Sequence, residues 1–275
     1  MTPSQLPRPQ RPARPDRRVH SIVLTAMEEE AHPFLDRLPA LDGAAPLTLN
    51  GDAWAASLTL PPAVPGGADG TGPGASRELI LIRTGIGLVA AASALAAALT
   101  QVAPRMIVSA GTAGGLARDV EVGDVCVSTT LAFTDADATA FGYARGQVPG
   151  QPPAFGSAAG LRDAMEIHGP AALAAAAPAA SSSARVHAGQ MLSGNSFVTA
   201  ANVADTREAF PEAVSTDMES TALAQVAAVA GIPFVSARGI SDLCGPEAGQ
   251  DFHIGADEAA ARSAAVVIAA LAALG

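Results

Sequence analysis

Three carboxylates stand where extended runs of this chain give way to helices: Glu30, Glu219 and Asp242. Glu219 lies where the extended run from residue 214 meets a helix. Asp242 lies just past the run 233–240. In a sheet with helical crossovers, ligands bind outside the carboxyl ends of the strands. Two acids brought to one such crevice can divide a reaction between them. One gives a proton to a leaving group, and the other faces water or developing positive charge. A structural role competes with this reading. Acids at a helix start are favoured by the helix dipole, and loop acids often cap turns. On Glu219 and Asp242 alone the structural role is preferred, and the run Glu28-Glu29-Glu30 by itself says no more.

The elements that must position these acids follow from periodicity. Residues 20–26, 78–84, 106–110, 123–130, 185–192 and 233–240 read as strands. Helices are expected over about 88–99, 161–168, 202–210, 220–230 and 256–274. Gly231 punctuates the end of one helix, and Pro233 follows it. Asp205 and Arg207 are expected on a solvated helix face. A hairpin is expected from residues 47–50 and 53–60 around Asn50-Gly51-Asp52. Residues 61–77 read as a Pro/Gly-rich surface loop, and 170–183 as an alanine-rich connector. Residues 133–155 form a long polar segment that holds the single tyrosine, Tyr143, and such loops are usually functional or interfacial. Gly111-Thr112-Ala113-Gly114-Gly115 reads as a loop that lets backbone approach a ligand. Strands alternating with helices give one α/β domain around a largely parallel sheet.

The totals narrow the chemistry. With 275 residues and 49% hydrophobic content the chain can bury one large core. All 16 basic residues are arginine, so lysine Schiff-base chemistry and a lysine-bearing P-loop are excluded. Gly85-Ile86-Gly87 with Ala90 fits the dinucleotide fingerprint superficially. No acid occurs between Glu78 and Asp119 to hold a ribose, so that reading is rejected. The glycines then mark a tight strand-to-helix turn. Five arginines against Asp16 make residues 1–18 net +4, so the formal −10 of the whole chain leaves the remainder at −14. Such a body repels nucleic acid and anionic membranes. Residues 1–18 are too Pro- and Arg-rich to bury a core and are expected to be a disordered tail, with 19–275 as the domain. No membrane-length apolar run, metal-ligand spacing or cofactor motif appears. Cys126 and Cys244 are far apart, which suits a reduced, cytoplasmic protein.

Seven segments in order resemble one family. They are Ala26-Met27-Glu28-Glu29-Glu30, Thr84-Gly85-Ile86-Gly87, Ala110-Gly111-Thr112-Ala113-Gly114-Gly115-Leu116, and Asp135-Ala136-Asp137 with Thr139-Ala140-Phe141-Gly142-Tyr143. Ser193-Gly194 with Phe197, Asp217-Met218-Glu219, and Arg238-Gly239-Ile240-Ser241-Asp242 complete the set. Together they resemble the 5′-methylthioadenosine/S-adenosylhomocysteine nucleosidases of the nucleoside phosphorylase superfamily, from about His20 to the C-terminus. The resemblance implies a three-layer α/β/α fold and hydrolysis of the N-glycosidic bond of adenosine-type nucleosides, 5′-deoxyadenosine among them. It implies a homodimer and no cofactor. Asp242 would protonate the purine toward N7, Glu30 would hold or deprotonate the water, and Glu219 would hold the ribose hydroxyls. Phe197 would stack on the base and the Val198 backbone would bond its edge. Met27 and Met218 would line the ribose and 5′-thio group, with Thr112, Ala113, Gly114, Asp217, Arg238 and Ser241 completing the substrate site. Phe141, Tyr143 and Pro149 would reach into a neighbouring subunit's site.

The chemistry agrees with these roles, because bond cleavage builds positive charge on the ribose and a purine leaves poorly unless protonated. Three acids after the first strand also repel phosphate and suit water. Arg83 and Arg238 remain candidates for an anion site, so phosphorolysis is the alternative. Thr112 stands where the pattern has serine, Ala138 where it has a larger apolar residue, and Asn195 where it has aspartate. The last keeps a 6-oxo or futalosine-like purine nucleoside open. Phe252 is a candidate lid aromatic. A nucleoside-binding protein without turnover is the reading from another class, and the trio of acids argues against it.

Overall fold

The computed structural model of the chain describes residues 15–61, 77–176, 183–245 and 255–274. Among these residues nine strands form one mixed sheet: β1 (Arg18–Thr25), β2 (Trp54–Thr59), β3 (Glu78–Arg83), β4 (Ala103–Gly115), β5 (Val125–Phe133), β6 (Phe155–Gly156), β7 (Val186–Ser193), β8 (Ala213–Asp217) and β9 (Phe234–Asp242). Six helices flank it: α1 (Glu28–Arg37), α2 (Leu88–Leu99), α3 (Ala159–Ala176), α4 (Val203–Ala209), α5 (Ser220–Ala230) and α6 (Ala256–Ala273). β1 lies between β3 and β4, parallel to both, and β2 closes that edge antiparallel. β4 then pairs with β9 in parallel and with β8 antiparallel. β9 pairs with β5, β5 with β7, and β7 with β8. The strands β4, β9, β5, β7 and β8 thus close on one another, and the rest of the sheet extends from β4.

The period-two pattern of the apolar strands sorts their side chains into two cores. Ile22, Leu24, Ile80 and Ile82 pack with α2 and α5 through Ala91, Leu95, Leu223 and Ala227. Val23, Leu79, Leu81 and Val108 pack on the opposite face with α1, α3 and α6 through Phe34, Met165, Leu173 and Val267. The result is the expected three-layer α/β/α arrangement. Alanine dominates the inner faces of α2 and α5, so these helices sit close to the sheet. α5 ends at Gly231 with φ 69°, as the sequence predicts.

Several expectations change. No hairpin forms at Asn50-Gly51-Asp52, because β2 pairs with β3 and Ala40 bridges Leu58. Leu47 and Leu49 instead pack against the α2 side of the core without strand pairing. The glycine-rich residues 111–115 are not a loop but the end of β4, held by β9 and β8 on its two sides. α3 runs on to Ala176 with Pro170 inside it, so most of the expected connector that is described is helix. Arg207 is not merely solvated: its Nε donates to the Leu116 carbonyl at 2.8 Å. Residues 133–155 keep β5 up to Phe133 and a short helical turn at Thr139–Phe141. At the other end of the chain Arg17 pairs with Glu78 at 2.5 Å, so ordered contacts begin ahead of β1. Residues 1–14, residues 62–76 of the expected loop and Phe252 lie outside the described residues.

Candidate active site

β1, β4, β8 and β9 deliver their ends to one cavity. The first wall is the start of α1. Glu30 occupies the third position of that helix, and its Oε2 accepts the N–H groups of Ala26 (2.7 Å) and Met27 (3.2 Å). That is the backward reach of a capping-box glutamate. Its other oxygen leaves the helix and accepts the Thr112 N–H (2.7 Å) and hydroxyl (2.9 Å). Gly111 makes room for this seat. A Cβ there would lie 2.4 Å from the Glu30 carboxyl, and the φ of +134° strains any other residue. Of the three consecutive acids only Glu30 enters the cavity. Glu28 accepts from Trp54 Nε1 (2.8 Å) and pairs with Arg83 (3.1 Å) outside it.

The second wall is the turn from β8 into α5. Asp217 Oδ1 accepts the N–H groups of Glu219 and Ser220, both at 3.0 Å, and the Ser193 hydroxyl at 2.6 Å. It therefore anchors the helix start and aims Met218 and Glu219. Glu219 Oε1 accepts the Gly87 N–H at 2.8 Å, so the glycine turn that mimics a dinucleotide fingerprint serves a carboxylate instead. Arg238, on β9, is only 1% exposed. It lies 3.3 Å from both Asp217 and Glu219 and 3.8 Å from Glu30. Burial pushes the Glu219 carboxyl up to about 7; Arg238 and the Gly87 N–H oppose that rise, and Asp217 and Glu30 add to it.

The third wall is the end of β9. Asp242 is its last residue rather than a loop residue beyond it. The register against β4 shifts between Ala113 and Gly114, and Gly114 stands opposite Asp242. Such irregularities re-aim side chains at strand ends. Asp242 Oδ1 accepts the Cys244 N–H (2.9 Å), and Oδ2 accepts the Ser241 hydroxyl (3.0 Å). A Cβ on Gly114 would sit 2.4 Å from Cys244 Sγ and 3.2 Å from Asp242 Oδ1, so this close approach needs glycine.

Over these walls stands the loop after β7. Phe197 lines the cavity yet is 73% exposed. The Asn202 side chain donates to the Phe197 carbonyl (3.1 Å) and accepts the Thr199 N–H (2.8 Å). Between them, the N–H and C=O of Val198 have no partner among the described residues.

The phosphorylase superfamily pattern matches residues 21–272. A 5′-methylthioadenosine/S-adenosylhomocysteine nucleosidase of Bacillus cereus (strain B4264) is 34% identical over 250 residues, which are 90% of this chain and 96% of that protein. The chain belongs to this nucleosidase family. A nucleosidase of Actinobacillus succinogenes is 38% identical over 72% of this chain and 82% of its own length. The Neisseria meningitidis nucleosidase, solved with methylthio-immucillin-A, matches with a TM-score of 0.75 and 31% identity over 92% of this chain and 98% of that one. The Colwellia psychrerythraea nucleosidase, solved with adenine, matches with a TM-score of 0.74 and 29% identity over 93% and 96%.

In this member of the nucleosidase family the cavity gathers thirteen of the sixteen residues expected from the sequence: Met27, Glu30, Thr112, Ala113, Gly114, Phe197, Val198, Asp217, Met218, Glu219, Arg238, Ser241 and Asp242. Phe141, Tyr143 and Pro149 are not among its lining residues. Asn195 is not there either; its N–H and side-chain amide both donate to Asp135, at 3.0 and 2.9 Å. Sequence reasoning missed Ile86, Ser196, Thr216 and Cys244, which also line the cavity. Ile86 was signalled: it sits between the two glycines of a turn that faces Glu219. Cys244 gave no signal, because its place depends on the backbone beyond Asp242.

Proposed function

We propose that the chain hydrolyses the N-glycosidic bond of adenosine-type nucleosides, releasing adenine and a ribose derivative. Its substrates are 5′-methylthioadenosine, S-adenosylhomocysteine and 5′-deoxyadenosine. The observation that carries this reading is the charge arrangement of the cavity. Arg238 is enclosed by Glu30, Asp217 and Glu219, so the buried cation is already matched by carboxylates. A phosphate dianion finds no free arginine there, since Arg83 is paired with Glu28 and Asp52 outside the cavity. Water and a cationic ribose suit such a site, and phosphate does not.

The roles follow from position. Phe197, exposed over the opening, stacks on the purine, and the unpartnered N–H and C=O of Val198 bond its edge. Asp242, fixed at both oxygens by Ser241 and Cys244, gives its proton toward N7 as the base leaves. Glu219 holds the ribose hydroxyls. Glu30, with the Thr112 hydroxyl, holds the attacking water and takes its proton. Thr112, Ala113, Gly114, Met27, Met218 and Ser241 shape the ribose and 5′ subsites, while Asp217 and Arg238 hold the acids. Asn195 directs its amide to Asp135 rather than the cavity, which removes the ground for preferring a 6-oxo purine. Phe141 is 84% exposed and Pro149 is exposed with it. We assign this segment to the 5′ subsite of a second copy in a homodimer. Among the described residues no helix is long and apolar enough to cross a membrane. Both cysteines are free and buried, which fits a reducing, cytoplasmic setting.

The test is base release from 5′-methylthioadenosine by purified protein, with and without phosphate. Equal release of adenine in both, with free thioribose, is the expected result. Release only with phosphate, giving a sugar 1-phosphate, would make the protein a phosphorylase.

A further inference from the structure

Behind the carboxylates lies a cluster of buried serines that the roles above do not use. Ser109 is on β4, Ser220 opens α5, and Ser236 is on β9; all three are fully buried. Ser220 Oγ lies 3.0 Å from Ser109 Oγ, 2.9 Å from Ser236 Oγ and in a short hydrogen bond with Asp217 Oδ2. Arg238 Nη2 donates to Ser109 Oγ at 2.8 Å. The single Ser220 proton faces both Asp217 Oδ2 and Ser109 Oγ, the contact with Ser236 can run either way, and Arg238 donates to Ser109. A continuous set of contacts therefore joins the guanidinium through Ser109 and Ser220 to Asp217. The ring closes where Arg238 Nε lies 3.3 Å from Asp217 Oδ2, an ion pair without hydrogen-bond geometry.

We propose that Ser109 and Ser220 are positioning residues for the reaction: they hold Arg238 in the one orientation that serves Glu219 and Glu30 together. A guanidinium between three acids has several pairings open to it, and its own contact with Asp217 does not choose among them. The serine ring does. It turns Nη2 toward Glu219 Oε2 at 3.3 Å and leaves Nη1 facing the Thr112 carbonyl at 3.3 Å and Glu30 beyond. Glu219 faces Arg238 from β9, Asp217 from β8, Glu30 from α1 and the Gly87 N–H from the turn before α2. Arg238 is the only cation among these groups, so its placement governs how readily Glu219 ionises. Without the Ser220 hydroxyl, Asp217 keeps Ser193 and two N–H donors and draws Arg238 toward itself.

This inference rests on the reading that Glu219 holds the ribose, but its test does not need turnover. The Glu219 carboxyl is followed by ¹³C NMR in glutamate-labelled protein, with Glu219→Gln assigning the resonance, across pH. Ser220→Ala should raise the titration midpoint by about half a unit or more, a shift large enough to mark a changed ion pairing. Ser220→Thr keeps the hydroxyl and should restore the wild-type midpoint. Ser109→Ala tests the other half of the ring and should shift the midpoint the same way, including where Ser220→Ala does not fold. In turnover, the acid side of the kcat/KM profile should move with the midpoint. A lower melting temperature with an unmoved midpoint in both alanine variants would overturn the inference and leave the serines as packing. Wild-type protein that releases no adenine while the midpoints move would instead overturn the catalytic reading alone.

Discussion

The floor and the rim of the cavity are built in opposite ways. On the floor, Glu30, Asp217, Glu219 and Arg238 are buried, and each charged group is held by backbone N–H groups, hydroxyls or the opposite charge. On the rim, Phe197 is 73% exposed, Ile86 is 55% exposed and Asp242 is half-buried. Strands of one sheet, packed between helices on both faces, fix the floor before any ligand arrives. The rim is carried by turns and strand ends and is completed by what binds. Preorganised charge suits the stabilisation of a developing cation. In the proposed roles, an acid that hands over a proton and an aromatic that admits a flat base work better where a ligand can reach them.

Substitutions can break this contrast in order of size. Asp242→Asn should lower kcat by about 10²–10⁴-fold, the range for a positioned general acid, with KM little changed. Steady-state rates with 5′-methylthioadenosine check it, and a rate near wild type would remove Asp242 from the chemistry. Gly111→Ala tests the floor without touching a charged group. Its Cβ would fall 2.4 Å from the Glu30 carboxyl, so Glu30 must move. A displacement of this size should cost about 10²-fold in kcat. An unaltered kcat would mean that the seat of Glu30 is irrelevant. Phe197→Ala should weaken substrate binding by about 1–3 kcal/mol, the range for base stacking, and leave the melting temperature in place because the ring is exposed. A fall in stability with unchanged KM would make Phe197 a packing residue.

The pH dependence of stability separates the site from the rest of the fold. His20, on β1, is fully buried, and burial together with Arg105 and Arg77 lowers its imidazole from 6.5 to about 4. The folded chain keeps it neutral while the unfolded chain takes up a proton below 6.5. Stability should therefore be complete above 6.5 and decline as pH falls toward 4, by at most about 1.4 kcal/mol per unit. His20→Leu should flatten that slope in urea titrations. In the proposed mechanism activity has a different controller. Glu219 takes its proton near 7, so kcat/KM should fall on the acid side of that value in His20→Leu as in the wild type. A shifted activity profile in His20→Leu would join the two regions that the structure keeps apart.

How much was legible beforehand depends on how local the cause is. The α/β alternation, Gly231 at the end of α5 and the acids at the ends of β8 and β9 rest on period and punctuation, which neighbouring residues set. The expected hairpin failed because pairing partners are not local. Trp54–Thr59 found β3 across the sheet, and residues 47–50 were left to pack without pairing. The glycine-rich residues 111–115 look like a loop by composition. They remain a strand because β8 and β9 hold both sides of it, and glycine there answers to Glu30 and Cys244.

The sequence by itself determined the layer architecture, the set of acids and the family, because these lie in residue type, spacing and order. Only the tertiary structure decided which of three consecutive glutamates enters the cavity, that Arg238 is matched by carboxylates, and that Asn195 turns to Asp135. It alone joined Ser109, Ser220 and Ser236 behind Asp217. Those outcomes depend on which oxygen meets which donor across β4, β8 and β9, and residues more than 100 positions apart in sequence make those contacts, as Ser109 does with Ser220 and Arg238.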